Sequence, residues 1–579
     1  MARTNLGLAA CATAFYNCEM PVSRRGFLKN IAALSSVGSL ASRVLPFLSG
    51  LGAGSLSGRA IAPGLFGMPK LSASPIAIID PNSPIDSRDF NGDRVDKPHN
   101  ILWNIDGYIA KHSGGVPLAS AAYDLVIVGG GISGLLTAWL YLKKNPSRHV
   151  LMLEQDHRVG GNSKGEQHGD ARYSIGAAYI VAPDAGSEID ALIRELSLST
   201  IAREDGGDLT VLQNGALKSF WDGETDPRAV RDLKRVSARL AEMREHADLE
   251  NEGKLSKELD AISFRKWLKR EFGELHPHLL ELFQLYGWSS FCGSIDELSA
   301  FQYLNFICFE MGTILAFPGG NAAIAEALWK KLHAEPGFTL KTNAMALKVT
   351  TTPDRASLLY EHEGKLTQVE ANAAVMACAK FIARRLLPEL EPEQASAMAS
   401  LRYRSYVVGN AILNRKIKSP TYDLFLLQNE VPLSPTARHP SARSFSDLCF
   451  GSWAQNDLPE MSVLTLYQGL AYDGARQHLF HATAHSKYRE VMLNALRQQV
   501  LPPLGLKPSD VAGLRMTRWG HPLPLAEVGL LAKGTVQKAA HPIGGRVFFA
   551  NQDNWANPSF ESAFQAASLA ATQTAAITS

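Results

Sequence analysis

The stretch from Tyr123 to Gly161 reads YDLVIVGGGISGLLTAWLYLKKNPSRHVLMLEQDHRVGG. It opens with an apolar run, Leu125–Val128, of the kind that a buried parallel strand requires. Three glycines follow in the spacing G-x-G-x-x-G: Gly129, Gly131 and Gly134. The first allows a sharp turn, the second lets backbone approach a diphosphate, and the third lets the next helix lie close to the strand. The stretch therefore predicts a strand–turn–helix unit that binds a dinucleotide.

The remainder of the stretch completes this unit. A helix from about Ser133 to Lys144 would direct its N-terminal N–H groups at the phosphates. A second apolar strand, Val150–Leu153, ends at Glu154, which lies 154 − 134 = 20 residues beyond the third glycine. A carboxylate there can accept hydrogen bonds from the adenosine ribose. Gly160 and Gly161 follow closely, as in the two-dinucleotide-binding-domain flavoproteins, where such glycines pass the diphosphate. This favours FAD over NAD.

Length and composition are those of a large globular protein. The chain has 579 residues, 46% of them hydrophobic and 20% charged, which predicts two or more domains. A formal net charge of +2 gives no support for nucleic acid as a partner. The six cysteines show no metal-ligand spacing. No metal site is therefore predicted, and the fold is not expected to depend on disulfides.

The N-terminal residues predict export. The motif SRRGFLK (23–29) is typical of a twin-arginine signal, and a mildly apolar run follows it from Ile31 to Leu51. Arg43 interrupts this run, which argues against a membrane span. We interpret residues 1–62 as a signal region read by the twin-arginine export machinery, which carries folded proteins. The mature protein would be periplasmic or otherwise extracytoplasmic, or membrane-associated if the leader is retained.

The rest of the chain predicts an α/β fold with two parts. Residues 63–120 show little periodicity and are interpreted as an extended N-terminal arm. A Rossmann-like FAD-binding domain is assembled from discontinuous segments, residues 121–185, 315–390 and 541–579. A mixed α+β substrate domain takes residues 186–314 and 391–540. Within the FAD domain, the strand around Ala346 is placed to present backbone groups to adenine.

Six stretches carry a family resemblance. They are VGGGISG (128–134), EQDHRVGGNSKG (154–165), VMACAKF with the downstream LPELEPEQ (375–394), YVVGNAILNR (406–415), TRWGHP (517–522) and RVFFANQDNWANPSFESAFQAA (546–567). They resemble the flavin amine oxidase superfamily, and within it most of all the bacterial spermidine dehydrogenases. The resemblance covers most of the chain after residue 121. It implies a two-dinucleotide-binding-domain flavoprotein that oxidises a polyamine-like amine.

The resemblance also implies roles for three residues. Asp553 would lie near the ribityl or diphosphate end of the flavin, although an aspartate here could also cap a helix. The N–H groups near Ser562 and Ala563 would face the flavin C2 carbonyl, where a helix N-terminus stabilises negative charge. Amine oxidases of the superfamily commonly place a lysine near flavin N5. No matching lysine is found here, which favours a dehydrogenase over an oxidase.

Amine oxidation needs few catalytic side chains, because the cofactor carries the difficult step. We take Trp519 as the first candidate for a wall opposite the flavin, with a core tryptophan as the alternative. His521 could orient the substrate or accept a proton, or be purely structural. Trp555 could gate the pocket. For a polycationic substrate, Glu527 and Glu561 are candidate carboxylates at the pocket mouth.

Two other functions stay open at this point. One is an FAD-dependent desaturase or isomerase of an apolar, carotenoid-like substrate, and the other is a flavin-binding protein without turnover. The electron acceptor is undetermined between oxygen, a quinone and a cytochrome. Some spermidine dehydrogenases also carry haem. No C-x-x-C-H motif occurs, so covalent haem is not predicted, and the sequence gives no support for non-covalent haem.

Overall fold

The computed structural model describes residues 73–578, apart from 81, 113–114, 204–208, 246–252, 311–312, 420, 437–442, 456 and 458. The predicted signal region, residues 1–62, lies outside this part of the chain. Within it, no helix has both the length and the apolar character needed to cross a membrane.

A seven-stranded sheet holds the dinucleotide-binding unit. The strand order is β12-β4-β3-β15-β14-β13, and β21 pairs with β15. The glycine-rich stretch supplies β3 and β4, which pair in parallel with Leu125 opposite Val150. Each strand contains a continuous apolar run that is buried, Leu125–Val128 in β3 and Val150–Leu153 in β4. The seven strands are β3 (Ala119–Val128), β4 (Val150–Leu153), β12 (Phe338–Lys341), β13 (Ala344–Thr351), β14 (Ala356–His362), β15 (Lys365–Met376) and β21 (Val547–Phe549).

Three long helices pack against this sheet. They are α3 (Ile132–Lys144), α10 (Ala322–His333) and α16 (Phe560–Thr578). The alanine-rich face of α16 lies on α3, and the Tyr141 hydroxyl donates to Thr578 Oγ1 at 2.8 Å. The sheet is thus built from three separated parts of the chain, and the predicted α/β flavoprotein fold is confirmed. The exact domain boundaries stay a prediction.

An eight-stranded, mainly antiparallel sheet forms the second part of the molecule. Its order is β10-β9-β17-β18-β19-β16-β20-β2. The longest strands, β16 and β20, pair along most of their length. The strands are β2 (Asn91–Gly92), β9 (Thr210–Gln213), β10 (Ala216–Ser219), β16 (Tyr403–Leu413), β17 (Asp423–Leu427), β18 (Asp447–Phe450), β19 (Val463–Leu470) and β20 (Val511–Pro524).

A helical layer covers one side of this sheet. Its apolar residues join those of the dinucleotide sheet in one large core cluster. The helices are α5 (Pro227–Arg244), α6 (Lys254–Asp260), α7 (Phe264–Phe272), α8 (Pro277–Phe291) and α9 (Ala300–Glu310). On the opposite side, α14 (Ala484–Ala495) packs on β20 and buries Met492 and Leu493. Helix α4 (Glu188–Glu195) instead buries Ile189 and Leu192 in the apolar cluster that contains α3 and α10.

The remaining elements are short. Two three-stranded sheets, β1-β5-β6 and β7-β11-β8, join the two large sheets. Their strands are β1 (Ile76–Ile79), β5 (Gly165–His168), β6 (Ala171–Ser174), β7 (Tyr179–Val181), β8 (Ile201–Arg203) and β11 (Ile314–Ala316). The other helices are α1 (Asp96–Leu102), α2 (Ile105–Ala110), α11 (Lys380–Leu386), α12 (Pro392–Ser400), α13 (Ala475–His478) and α15 (Thr535–Ala539).

The N-terminal arm differs from the expectation where it is described. Residues 96–102 and 105–110 are helical, although their apolar spacing was too irregular to predict this. Strand β1 pairs with β5, and β2 pairs with β20. The interpretation of this segment as a wholly extended arm is therefore wrong, because tertiary pairing gives it regular structure.

Candidate active site

One cavity of about 610 Å³ lies between the two large sheets. Its wall on one side is the glycine-rich turn after β3 together with Glu154 at the end of β4. On the other side its wall is one face of the eight-stranded sheet, including Tyr406 and Trp519. A single cavity thus connects a dinucleotide-binding edge with an aromatic pocket.

The three predicted glycines each have a distinct local environment. Gly129 has φ +115°, in the region that favours glycine. A Cβ on Gly134 would lie 2.1 Å from the Gly129 carbonyl oxygen, so α3 can approach β3 only without a side chain there. A Cβ on Gly131 would meet only the Gly161 Cα within 4 Å, at 3.7 Å. The space beside Gly131 therefore belongs to the cavity.

The N-terminus of α3 provides donors at the same place. No side chain caps this helix, and its first residues, Ile132 and Ser133, line the cavity. The first N–H groups of a helix have no partner within the helix and carry partial positive charge. The uncapped end beside the open Gly131 fits a diphosphate.

Glu154 is held rigidly at the end of β4. Its Oε2 accepts the N–H of Gly130 at 2.8 Å, and its Oε1 accepts the N–H of Asp156 at 2.8 Å. Burial raises the pKa of this carboxyl. Each oxygen keeps a lone pair for a further donor. The predicted contact of Glu154 with ribose hydroxyls is therefore sterically and chemically available.

The loop after Glu154 is fixed by an ion pair. Lys164 and Asp156 are both buried and paired, and His157 Nδ1 lies 2.6 Å from Asp156 Oδ1. Burial alone would raise the pKa of Asp156, but the His157 and Lys164 contacts hold it well below its usual range. Gly160 and Gly161 have φ +112° and +55°, and Gly160 bridges to Gly131. Both predicted glycines thus shape the edge of the cavity.

Ala346 is not itself at the cavity wall. It pairs with Tyr360 inside the sheet, and the neighbouring Met345 lines the cavity instead. Alternate residues of a strand point to opposite faces, so the Met345 side chain faces the cavity and that of Ala346 does not. The contact of backbone groups near Ala346 with adenine stays a prediction.

Asp553 does not line the cavity. It is fully buried, and its Oδ1 accepts from Lys380 Nζ at 2.7 Å. Its Oδ2 accepts from the Lys380 N–H at 2.8 Å and from the Tyr403 hydroxyl at 2.6 Å. Asp553 therefore links Lys380, which follows strand β15 of the FAD sheet, to Tyr403 of β16. The neighbouring Asn551 and Gln552 do line the cavity, so the predicted place of Asp553 near the ribityl or diphosphate end of the flavin stays a prediction.

The start of α16 lies at the cavity wall. Ala563 lines the cavity, but its N–H donates to the Ser559 carbonyl at 3.2 Å. The N–H of Ser562 donates to Ser559 Oγ at 3.1 Å. The helix N-terminus does face the cavity through Ser559 and Phe560. The N–H groups of Ser562 and Ala563 are thus engaged within the helix, and the contact of N–H groups near them with the flavin C2 carbonyl stays a prediction.

These residues together fit FAD. The uncapped α3, the open space at Gly131 and the anchored Glu154 match the diphosphate and ribose of a dinucleotide. The cavity continues past them, so there is room for a second ring system. In the part of the chain that the structure describes, no group of three His, Cys, Asp or Glu side chains could hold a metal ion.

The cavity contains carboxyl groups that the sequence did not reveal. Glu310, Asp423 and Asp447 line it, together with four tyrosines; we call these seven residues the acidic tyrosine pocket. The tyrosines are Tyr179, Tyr286, Tyr406 and Tyr467. Opposed residues of neighbouring strands share a face, and Asp447 lies opposite Tyr467 in the sheet. The pairing of β17, β18 and β19 therefore assembles this pocket.

Asp447 is the most perturbed carboxyl of the acidic tyrosine pocket. Burial raises its pKa to about 7, a hydrogen bond from Ser446 opposes the rise, and the charges of Asp423 and Glu310 add to it. Clustered carboxyls in a low-dielectric site repel one another when ionised. A cation placed among them would relieve that repulsion.

The tyrosines of the pocket stay neutral. Burial raises the pKa of Tyr179, Tyr406 and Tyr467 well above the usual 10.0. Tyr286 donates its hydroxyl proton to Glu310. Aromatic faces attract cations, and a cage of such rings recognises ammonium groups. The acidic tyrosine pocket thus has the chemistry of a cation-binding site.

Trp519 lines the cavity as predicted, on β20 directly opposite Tyr406. Its indole N–H donates to the Ile175 carbonyl at 2.7 Å, which fixes the ring. His521 also lines the cavity, but its Nε2 accepts from Arg476 at 2.8 Å. Burial and the charge of Arg476 lower the pKa of His521 to about 3. A neutral His521 that already accepts from Arg476 fits the structural alternative, and its role as a proton acceptor stays a prediction.

The last three candidate residues, Trp555, Glu527 and Glu561, differ in their position relative to the cavity. Trp555 does not line the cavity, and its backbone carbonyl accepts from Gln302 at 2.8 Å, so its gating role stays a prediction. Glu527 is bound by Arg402 at 2.5 Å and is also absent from the cavity wall. Glu561 does line the cavity, but it is buried and accepts the Val181 N–H at 2.9 Å. It lies inside the cavity and not at an exposed mouth.

A sequence signal for the missed carboxyls did exist. Asp423 opens the buried run DLFLL, and Asp447 opens the buried run DLCF. An acid on the face of an otherwise buried strand has no place in an apolar core. That pattern indicates a polar site, although it does not say which strands meet.

Comparison with known proteins agrees with this fold and site. The chain belongs to the family of flavin containing amine oxidoreductases, whose model matches residues 132–575. A curated relative, the oxidoreductase PigB of a Serratia species, is 21% identical over 507 residues, 76% of this chain and 73% of that protein. The protein is thus a flavin-dependent oxidoreductase.

Solved structures show the same fold. A putrescine oxidase mutant aligns with a TM-score of 0.61 and 17% identity, covering 79% of this chain and 99% of that one. Cyclohexylamine oxidase from Brevibacterium oxydans aligns with a TM-score of 0.57 and 18% identity, covering 78% and 99% of the two chains.

Proposed function

We propose that the protein is an FAD-dependent enzyme that oxidises an amine at the carbon next to its nitrogen. The observation that carries the proposal is the acidic tyrosine pocket, which is continuous with the dinucleotide-binding edge. Family membership supports the same chemistry. The substrate class is narrowed by the three carboxyls, because more than one acid at a buried site suits a substrate with more than one positive charge. We therefore propose a polyamine-like substrate.

The residues of the chain bind and orient this substrate. Glu310, Asp423 and Asp447 attract a cationic amino group, and the surrounding tyrosines exclude water. Trp519 and Tyr406, opposed on β20 and β16, form a flat wall that positions the carbon to be oxidised. The reacting nitrogen must be neutral so that its lone pair can form the imine, and an aromatic environment lowers the pKa of an amine.

When bound, FAD accepts the hydride that leaves the α-carbon. The substrate loses that hydride and one proton in total and becomes an imine. Water then converts the imine to an aldehyde and releases the amino group. No described side chain needs to form a covalent bond with the substrate.

A dehydrogenase is favoured over an oxidase. Among described residues, Lys164 is the only lysine at the cavity wall, and its ammonium is paired with Asp156. No lysine is therefore available to order a water beside the flavin. The electron acceptor would accordingly be a quinone or a cytochrome rather than oxygen, and the three can be compared directly in turnover assays.

The desaturase alternative is less consistent with the cavity. A carotenoid-like substrate has no charge to offset three clustered carboxyls, whose burial is costly without a cation. A flavin-binding protein without turnover would have no need of the acidic tyrosine pocket.

Rapid mixing of the flavin-loaded protein with candidate substrates tests the proposal. Diamines and polyamines should bleach the visible flavin band, monoamines should do so more weakly, and amino acids and carotenoids should not. If every amine leaves the band unchanged while an apolar polyene bleaches it, the amine proposal is wrong and the desaturase alternative replaces it.

We also propose that the protein is exported in folded form by the twin-arginine machinery. The motif at Arg24 and Arg25 supports this. The double change Arg24→Lys, Arg25→Lys should leave flavin-loaded protein in the cytoplasmic fraction of a bacterial host, whereas the unchanged chain should reach the periplasm. Equal distribution of the two proteins would contradict export by this route.

A further inference from the structure

The segment Asn91–Trp103 crosses the cavity and is attached to both large sheets. We call this segment the clasp. It lies before residue 132, where the family match begins, so nothing in that match describes it. Side chains from several of its positions, including Arg94, Val95, His99 and Leu102, line the cavity.

One end of the clasp belongs to the substrate sheet. Asn91 and Gly92 form β2, which pairs with Thr517 and Arg518 of β20. The next residue, Asp93, accepts the N–H of Gly520 through Oδ2 at 2.7 Å. This end is therefore fixed beside the wall that carries Trp519.

The middle of the clasp is fixed to the dinucleotide sheet. Arg94 Nη1 donates to Asn343 Oδ1 at 2.7 Å, and Lys97 Nζ donates to the Asn343 carbonyl at 2.7 Å. Lys97 also forms an ion pair with the buried Glu361 of β14. These are charge-assisted bonds, which are stronger than neutral ones.

Asn343 is directly linked to the adenosine-binding end of β4. Its N–H donates to the Asp156 carbonyl at 2.9 Å, and the N–H of Ala344 donates to the Glu154 carbonyl at 2.9 Å. The clasp is therefore tied to the loop that orients the ribose-binding carboxylate. Its apolar residues Val95 and Leu102 form part of the wall next to that point.

The C-terminal end of the clasp is held by aromatic contacts. The Arg385 guanidinium lies 4.9 Å from the Trp103 ring and donates to the Leu102 carbonyl at 3.2 Å. His99 meets Phe480 edge to face, with 5.3 Å between ring centroids. Trp103 is 69% exposed, so the outer side of the clasp faces solvent. A dinucleotide in the cavity cannot leave on this side unless these contacts break.

We propose that the clasp retains the dinucleotide cofactor by closing over its adenosine end. Cofactor release then requires the Arg94 and Lys97 contacts to open first. The proposal concerns retention of FAD and holds whatever the substrate is.

Release of FAD from the loaded protein tests the clasp. In Arg94→Ala, Lys97→Ala protein, the rate of FAD release after dilution should rise about tenfold or more, because the lost bonds slow dissociation rather than association. The control Arg88→Ala, Lys111→Ala removes the same charge from exposed positions on either side of the clasp that do not line the cavity. It should release FAD at the unchanged rate. Equal rates in the two variants would overturn the proposal.

Digestion of the unaltered protein gives a second test that needs no variant. Trypsin should cleave after Arg94 more slowly when FAD is added, whereas cleavage after the exposed Arg88 should be unaffected. If FAD leaves cleavage after Arg94 unchanged, the clasp does not close over the cofactor.

Discussion

Asp447 carries a pKa near neutrality because it is buried beside Asp423 and Glu310. Its ionisation therefore falls in the range where the enzyme would work. A cation binds best to the ionised form, so binding of a cation whose own charge does not titrate should strengthen as pH rises through 7.

Hexamethonium is such a cation, and its binding can be followed by the change in flavin absorbance. Its affinity for the unaltered protein should increase about tenfold between pH 6 and pH 8, because one carboxyl ionises near pH 7. In Asp447→Asn protein, the affinity should be weaker at pH 8 and nearly independent of pH. Glu561→Gln is the matched control, since that buried acid lies in the cavity outside the acidic tyrosine pocket. A pH-dependent affinity that survives in Asp447→Asn would contradict the assignment.

The same residue predicts a stability effect. Because the folded-state pKa of Asp447 is raised above its unfolded value of 3.8, its contribution to stability is complete below about pH 3.8 and is lost as pH rises through 7. Asp447→Asn should therefore raise the Tm at pH 8, and the gain should shrink toward pH 5. If the increase in Tm caused by Asp447→Asn grew as the pH fell, the raised pKa of Asp447 would be contradicted.

His521 gives a contrasting prediction. With a pKa near 3, it is neutral throughout the range in which it was expected to titrate. His521→Gln keeps an acceptor for Arg476 and should preserve every inflection of the kcat/KM profile between pH 5 and pH 8. Loss of an inflection near pH 6.5 in that variant would identify His521 as a proton acceptor.

Lys380 and Asp553 form an ion pair in which neither side chain is exposed to solvent. Removing one partner leaves the other charge buried without compensation, so Lys380→Met should destabilise the protein by about 3–5 kcal/mol. Lys380→Met combined with Asp553→Asn should recover part of this loss, because the orphaned charge is gone. Unfolding by urea at a fixed FAD concentration measures both. Equal stability of the single variant and the unaltered protein would show that the pair is unimportant.

At the scale of elements, two glycines of the glycine-rich turn have different roles. Gly134 allows helix α3 to pack on β3, and Gly131 leaves space for the diphosphate. Gly134→Ala places a Cβ 2.1 Å from the Gly129 carbonyl oxygen and should displace α3 from β3, lowering stability. Gly131→Ala meets no protein atom closer than 3.7 Å, so the chain should fold normally and lose FAD affinity because the Cβ projects into the diphosphate space. Circular dichroism and bound-flavin absorbance distinguish the two. A fully flavin-loaded Gly131→Ala protein would contradict the placement of the diphosphate.

Elements were predictable where one local pattern decides them. The helix expected from about Ser133 to Lys144 is observed as Ile132–Lys144. The clasp helix, α1, and the acidic tyrosine pocket were missed, because both depend on contacts between residues that are far apart in the sequence. The family resemblance implied that Asp553 and Ser562 lie near the flavin. In the structure Asp553 accepts a hydrogen bond from Lys380, and the N–H of Ser562 donates to Ser559. Motifs specify a turn or a helix, whereas side-chain partners depend on the whole fold.

At the scale of the whole molecule, the clasp joins the substrate sheet to the dinucleotide sheet across one cavity. Because the clasp contacts both sheets, retention of the cofactor would depend on how the substrate sheet and the dinucleotide sheet are positioned relative to each other. Such retention would also suit a protein that leaves the cytoplasm already loaded with its cofactor.

Anaerobic titration of the flavin-loaded protein with a diamine tests the central claim most directly. We predict that one equivalent of diamine per flavin bleaches the visible band completely, and that one equivalent of aldehyde appears. An unchanged visible band after a large excess of diamine, with no aldehyde formed, would contradict the account.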